Sequence, residues 1–79
     1  MGMNLMELKE GQSGRIVSIR TAQSLQARLR ALNVSVGRVV RVLHFAPFDG
    51  GVMLDAEGVR LALRPSVARA VLIESEEGR

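Results

Sequence analysis

The stretch RLRALNVSVG, residues 28–37, contains the end of a helix and the approach to a strand. Apolar residues three or four positions apart share one face of a helix. Such a stripe runs through Ala22, Leu25, Leu29 and Leu32. Asn33 follows it, and asparagine tolerates the left-handed backbone with which many helices end. The pattern predicts a short amphipathic helix that stops at Asn33. Thr21 or Ser24 is its predicted N-cap. Gly37 is expected to admit the turn into the next strand.

The segments on either side of this helix have the composition of β-strands. Five such segments are rich in β-branched or alternating apolar residues, namely residues 15–19, 38–45, 52–56, 59–64 and 71–74. Glu57 and Gly58 form a two-residue hairpin connection, and Pro65 stands at a natural first helical position. Five short strands favour a closed or nearly closed barrel, because closure removes exposed edges. The helix can cover one open end of that barrel.

The size of the chain limits it to one domain. It has 79 residues, 47% of them hydrophobic, and no cysteine, so packing alone has to stabilise the fold. We assign residues 1–79 to one domain, with a core of about residues 5–74 and a polar tail over residues 75–79. The predicted fold is mainly β: a small five-stranded barrel with one short α-helix inserted after the first strand.

The charge is basic but dispersed. The formal net charge is +3, and ten of the eleven basic residues are arginine, which raises the calculated pI to about 11.1. No run of five like charges occurs, and the chain has neither Trp nor Tyr for stacking on single-stranded bases. We therefore expect no nucleic acid partner, although a small basic barrel that binds nucleic acid or the ribosome stays the alternative. The N-terminus lacks the pattern of a signal peptide, and no apolar stretch approaches the roughly 20 residues of a membrane span. These features predict a cytoplasmic protein without membrane insertion.

The sequence offers little chemistry for catalysis. Its one histidine, His44, has no nucleophile partner, and the acidic residues near it in sequence are not spaced as a metal site. We expect no enzyme activity, no cofactor and no metal site. His44 shares strand parity with Val40 and Val42, which predicts an inward side chain. Phe45 and Phe48 flank Pro47 and are expected to pack around it.

Several short motifs occur in an order that resembles one protein family. They are L-x-x-L-x-x-G at residues 5–11, I-x-x-I at 16–19, R-L-x-x-L-N-x-x-x-G at 28–37, Ala46-Pro47, L-A-L-R at 61–64, and Ala68 before the last strand. From about Leu5 to Glu74 the chain resembles the FeoA family of small cytosolic proteins of bacterial ferrous iron uptake. The resemblance implies an SH3-like barrel with a helix after its first strand. Asn33 departs from the family's usual glycine, and Val67 from its frequent glutamate.

The resemblance also implies a partner. Family members are accessories of the membrane ferrous iron permease, and contact with its cytosolic GTP-binding region is implied. The same barrel occurs in iron-responsive repressors beside a helix-turn-helix region that this chain lacks. We predict partner contacts at Arg28, Arg30, Phe45 and Phe48. Structural roles are predicted for Leu29, Asn33, Gly37, Pro47, Leu63 and Ala68. A third interpretation is a homo-oligomer, since a small core gains from burying more surface.

Overall fold

Six strands and two α-helices make up the fold. The structure is a computed structural model that describes residues 2–76. In chain order its elements are β1 Met3–Asn4, β2 Ser13–Ile19, α1 Gln23–Ala31, β3 Val39–Phe45, β4 Val52–Ala56, β5 Val59–Leu63, α2 Pro65–Ala70 and β6 Val71–Ser75. A single 3-10 turn, Leu5–Glu7, follows β1. Asn4 caps this turn, because its side-chain oxygen accepts a hydrogen bond from the Met6 N–H at 2.8 Å.

All six strands belong to one antiparallel sheet. Their order is β1-β6-β2-β3-β4-β5, so β1 and β5 form the two edges. These edges do not pair with each other within residues 2–76, so the predicted barrel is not closed. The mainly β fold is confirmed, and the predicted strand count of five is corrected to six. The additional strand, β1, has only two residues, which is too short to show an alternating pattern.

The hydrophobic core lies between the sheet and its helices. Alternate residues of each long strand point into it, because successive side chains of a strand face opposite ways. The loops and helices complete it with Leu5, Leu8, Leu29, Val34 and Ala68. Among the described residues no polar or charged side chain is buried. The fold therefore depends on apolar packing, as the absence of cysteine requires.

Helix α1 starts differently from the prediction. Its N-cap is Ala22, which has no side chain able to cap, and neither Thr21 nor Ser24 fills that role. Gln26 anchors the helix instead: its side-chain N–H groups donate to the carbonyls of Ile19 and Thr21 at 3.0 and 2.9 Å. These bonds tie the helix to the end of β2. The buried stripe of the helix is also narrower than predicted, because Ala22 is exposed and Leu32 is 40% exposed.

Helix α1 ends at Ala31 with Leu32 as its C-cap, and Asn33 follows in the left-handed conformation that the sequence predicts for the helix stop. Asn33 has a φ of +68°, and Gly37, four residues on, has +93°. The Asn33 side chain also donates a hydrogen bond to the Ala56 carbonyl at 3.0 Å. An ion pair between Arg38 and Glu57 joins the residue before β3 to the β4–β5 hairpin. Asparagine at this position therefore does two things: it adopts the left-handed backbone, and it joins the helix end to the end of β4.

Substitutions of Asn33 separate these two contributions. We expect Asn33→Gly to lower the free energy of unfolding by about 1 kcal/mol, because it removes the hydrogen bond and keeps the backbone freedom. Asn33→Ala should cost about 2 kcal/mol, since alanine is also strained in the left-handed region. Urea denaturation of the three proteins measures both values. Equal losses for the two variants would show that the backbone conformation contributes nothing.

The end of β3 departs from regular alternation. The β3–β4 register shifts between Val42 and His44, which marks a bulge. One extra residue in a strand moves the side chains that follow it to the opposite face of the sheet. The prediction that the His44 side chain points inward is therefore wrong, because His44 is exposed.

Two further expectations are corrected near the ends of strands. Phe48 is 100% exposed and does not pack around Pro47, which is itself exposed. Ser75, assigned to the polar tail, belongs to β6. The Glu76 N–H donates to the Ser13 carbonyl at 3.0 Å, which extends the pairing by one residue. The rest of the predicted tail, residues 77–79, lies outside the described residues.

Candidate protein-docking site

An apolar groove lies between α1 and the edge strand β5. Its volume is about 230 Å³. The helix contributes one wall, and β5 with the start of α2 contributes the other. We call it the α1–β5 groove, and its lining residues are Leu25, Arg28, Leu29, Leu32, Leu61, Ala62, Leu63, Arg64 and Val67.

The groove has an apolar floor and a basic rim. Leu29 and Leu63 are 3% and 6% exposed and also belong to the core, whereas Leu32 is open to solvent. Arg28 and Arg64 are exposed. Neither guanidinium takes part in an ion pair with another residue of the described chain. A ligand that offers apolar side chains with carboxylates beside them would complement this arrangement.

The predicted contact residues do not form one site. Arg28 lines the α1–β5 groove, but Arg30 lines a separate cavity of about 270 Å³ that also includes Gln26 and Val36. Phe45 is half-buried and packs against the core. Phe48 stands alone at the tip of the β3–β4 loop. The structure therefore places one of the four candidates in the groove and separates the other three.

Sequence reasoning missed several groove residues as contacts. The sequence marks Leu61 and Arg64 only through a strand pattern and a family motif. Val67 was noted as a departure from the family, where an apolar side chain stands in place of a frequent glutamate. That departure is a usable signal, because Val67 adds apolar surface to a groove in which a glutamate would add a negative charge.

The β3–β4 loop carries unusual backbone geometry. Phe48 and Asp49 both have a φ of +59°, in the left-handed region that costs most residues energy. Asp49 lies 3.8 Å from the Arg69 guanidinium, and Gly51 packs against the backbone of Leu63. The loop is therefore held against the end of β5 and against α2, with a fully exposed phenyl ring at its tip.

The remaining arginines are dispersed over the surface. Four of them are paired with carboxylates: Arg15 with Glu76, Arg38 with Glu57, Arg60 with Asp55 and Arg69 with Asp49. These pairs are exposed and contribute little stability each, but they neutralise part of the basic charge. Over residues 2–76 no group of three potential metal ligands comes together. None of the described helices is long and apolar enough to cross a membrane.

The fold and groove define a class of protein: a small, mainly β domain with an antiparallel SH3-like sheet, one helix packed on it and a potential binding groove between them. The chain belongs to the FeoA family, since the FeoA domain model matches residues 3–75. This confirms the resemblance indicated by the motifs and supports a role in ferrous iron transport. A sequence comparison with curated proteins gives no match.

Solved structures agree with this family. The chain is similar to a crystal structure of an iron uptake regulatory protein (FeoA), with 25% identity, a TM-score of 0.83 and coverage of 95% of this chain and 99% of that one. It is also similar to the solution structure of a FeoA protein from Chlorobium tepidum, with 27% identity, a TM-score of 0.90 and coverage of 98% and 73%. A manganese-dependent transcriptional repressor shares the fold at 21% identity and a TM-score of 0.81, over 94% of this chain and 41% of the repressor.

Proposed function

We propose that this chain is a non-enzymatic, cytoplasmic accessory protein of ferrous iron uptake. It binds the cytosolic GTP-binding region of the membrane ferrous iron permease and thereby modulates transport. The observation that carries this proposal is the α1–β5 groove, which joins an apolar floor to two arginines that form no ion pair with any residue between 2 and 76. The family supplies the iron-transport context, and the groove supplies a surface suited to a protein segment.

The groove fits a protein partner for physical reasons. Burying one leucine-sized side chain against its floor contributes roughly 1.5–3 kcal/mol. Arg28 and Arg64 add electrostatic complementarity, which selects acidic partners and speeds encounter more than it adds affinity. Phe48 offers a second, independent apolar contact at the tip of the β3–β4 loop. Aromatic residues are frequent anchors at interfaces.

The alternative of nucleic acid binding has less support. A nucleic acid interface needs basic side chains gathered on one face, together with aromatic rings when the strand is single. In the described part of the chain the arginines are spread over the sheet and both helices, and four of them are paired with carboxylates. The groove contains no aromatic side chain. The proposal therefore includes no nucleic acid partner.

Affinity capture with a matched pair of variants tests this function. The tagged protein is used to capture partners from detergent-solubilised bacterial membranes and cytosol at low and moderate salt. We expect the wild-type protein to retain the permease at both salt concentrations. Leu32→Ser should reduce the retained permease at least about fivefold, because it removes an apolar contact worth roughly 1 kcal/mol or more at the groove rim. Quantitative mass spectrometry gives the amounts.

Val36→Ser is the matched control. Val36 is 64% exposed and lies outside the groove, so this variant should retain the permease like the wild type. Equal retention by Leu32→Ser and the wild type would exclude the groove as the contact. Recovery of ribosomal or nucleic acid material at low salt, lost at moderate salt and without permease, would contradict the proposed function, because phosphate contacts weaken steeply as salt rises.

A further inference from the structure

Strand β5 has an open edge. It pairs with β4 alone within the described chain, and its other side faces away from the sheet. Val59 closes a two-residue hairpin, and residues that exchange hydrogen bonds alternate with those that do not along an antiparallel pair. The odd-numbered residues of β5 therefore bond to β4. The backbone N–H and C=O groups of Arg60 and Ala62 point outward.

This open edge borders the α1–β5 groove. Leu61, Ala62 and Leu63 line one side of the groove, and α1 lines the other. A chain segment that enters the groove in an extended conformation could form two kinds of interaction at once. Its backbone could bond to the outward groups of Arg60 and Ala62, and every second side chain could pack against the leucines of α1. The edge and the groove thus act as one surface.

We propose that the occupant of the groove is an extended segment of the permease's GTP-binding region, which adds a strand to β5. This inference rests on the function proposed above and specifies how the partner binds. The segment carries apolar side chains on the face that enters the groove. It carries acidic side chains on the other positions, where they lie beside Arg60 and Arg64. Strand addition of this kind takes affinity from main-chain hydrogen bonds and specificity from alternate side chains.

The charges favour an acidic segment over a second copy of this chain. If two β5 strands paired antiparallel about Leu61, the Arg60 side chains of the two copies would be diagonal neighbours, and like charges across strands destabilise pairing. Asp55 is the cross-strand neighbour of Arg60, but it offsets only part of this repulsion, because the two side chains are 4.0 Å apart and that of Arg60 is 73% exposed. Basic side chains on an edge oppose self-association. The same side chains attract a strand that carries carboxylates.

A proline substitution tests whether the edge binds a strand. Ala62→Pro removes one outward N–H, and proline is tolerated on edge strands where its missing N–H faces solvent. We expect it to weaken the dissociation constant for the purified GTP-binding region about tenfold or more, measured by calorimetry. Val36→Pro is the matched control. It places a proline at the second position of the turn closed by the Arg38 N–H and the Ser35 carbonyl, outside the α1–β5 groove, so its dissociation constant should stay within about twofold of the wild type.

Amide hydrogen exchange of the wild-type complex provides a second, independent measurement. The amides of Arg60 and Ala62 should exchange rapidly in the free protein and slow at least about tenfold when the GTP-binding region is bound. If the region binds and these two amides stay fast, strand addition is wrong and the proposed function survives. If the region does not bind the wild-type protein at all, both fail. Should Ala62→Pro not fold, the exchange measurement decides alone.

Discussion

Replacing Leu29 with aspartate is expected to unfold the domain. Leu29 is 3% exposed and is the one fully buried residue of α1, where it joins the helix to the core. A carboxylate at this position would be buried without a partner, which costs several kcal/mol. A core of this size leaves only about 3–5 kcal/mol of net stability. The variant should therefore be fully unfolded, and circular dichroism should show no cooperative melting transition.

Leu32→Asp provides the comparison for this variant. Leu32 lies three residues further on, at the end of the same helix, but it is 40% exposed, so its carboxylate would remain in water. Leu32→Asp should lower the free energy of unfolding by only about 1 kcal/mol, because a negative charge is unfavourable at a helix C-terminus. A Leu29→Asp protein that melts at the wild-type temperature would show that α1 does not pack on the sheet through this side chain.

The second large effect is expected from Gly51→Ala. Gly51 has a φ of +105°, and a Cβ atom added there would overlap the Leu63 carbonyl oxygen and lie 3.2 Å from the Arg64 Cα. The strained backbone contributes about 1–2 kcal/mol, and the overlap with fixed main-chain atoms adds about 1–3 kcal/mol. We expect the free energy of unfolding to fall by at least about 2 kcal/mol in urea titration.

Gly58→Ala separates the two causes of that loss. Gly58 has a similar φ of +97°, but nothing lies within 4 Å of its added Cβ. Alanine at this position therefore reports the backbone strain alone, about 1 kcal/mol. If both alanine variants lost the same amount, the close approach of the β3–β4 loop to the end of β5 would not be a constraint on the fold.

The parts of the fold that could be predicted are those that local sequence determines. The β5 alternation and the helix stop at Asn33 each follow from a few neighbouring residues. The N-cap could not be predicted, because Gln26 performs the anchoring by reaching back to residues before the helix. The bulge that exposes His44 also has no local signal, since residues 39–45 read as one uninterrupted strand.

The candidate site was predictable only in part for a related reason. Arg28 was identified as a surface residue of an amphipathic helix, but the groove exists because that helix packs beside a strand about thirty residues away. Arg64 is brought to the rim by the turn from β5 into α2. Phe48 was predicted to pack around Pro47, whereas its left-handed backbone directs it into solvent. A linear pattern does not contain these long-range placements.

The link from Asn33 to Ala56 has a consequence for the timing of recognition. It joins the end of α1 to the strand that leads into the β5 hairpin, so it connects the two walls of the groove. Such a link favours walls that keep their spacing before a partner arrives, so that a partner would not have to wait for the domain to open. Association with a partner of the proposed kind would then be limited by diffusion and by ordering of the partner's segment.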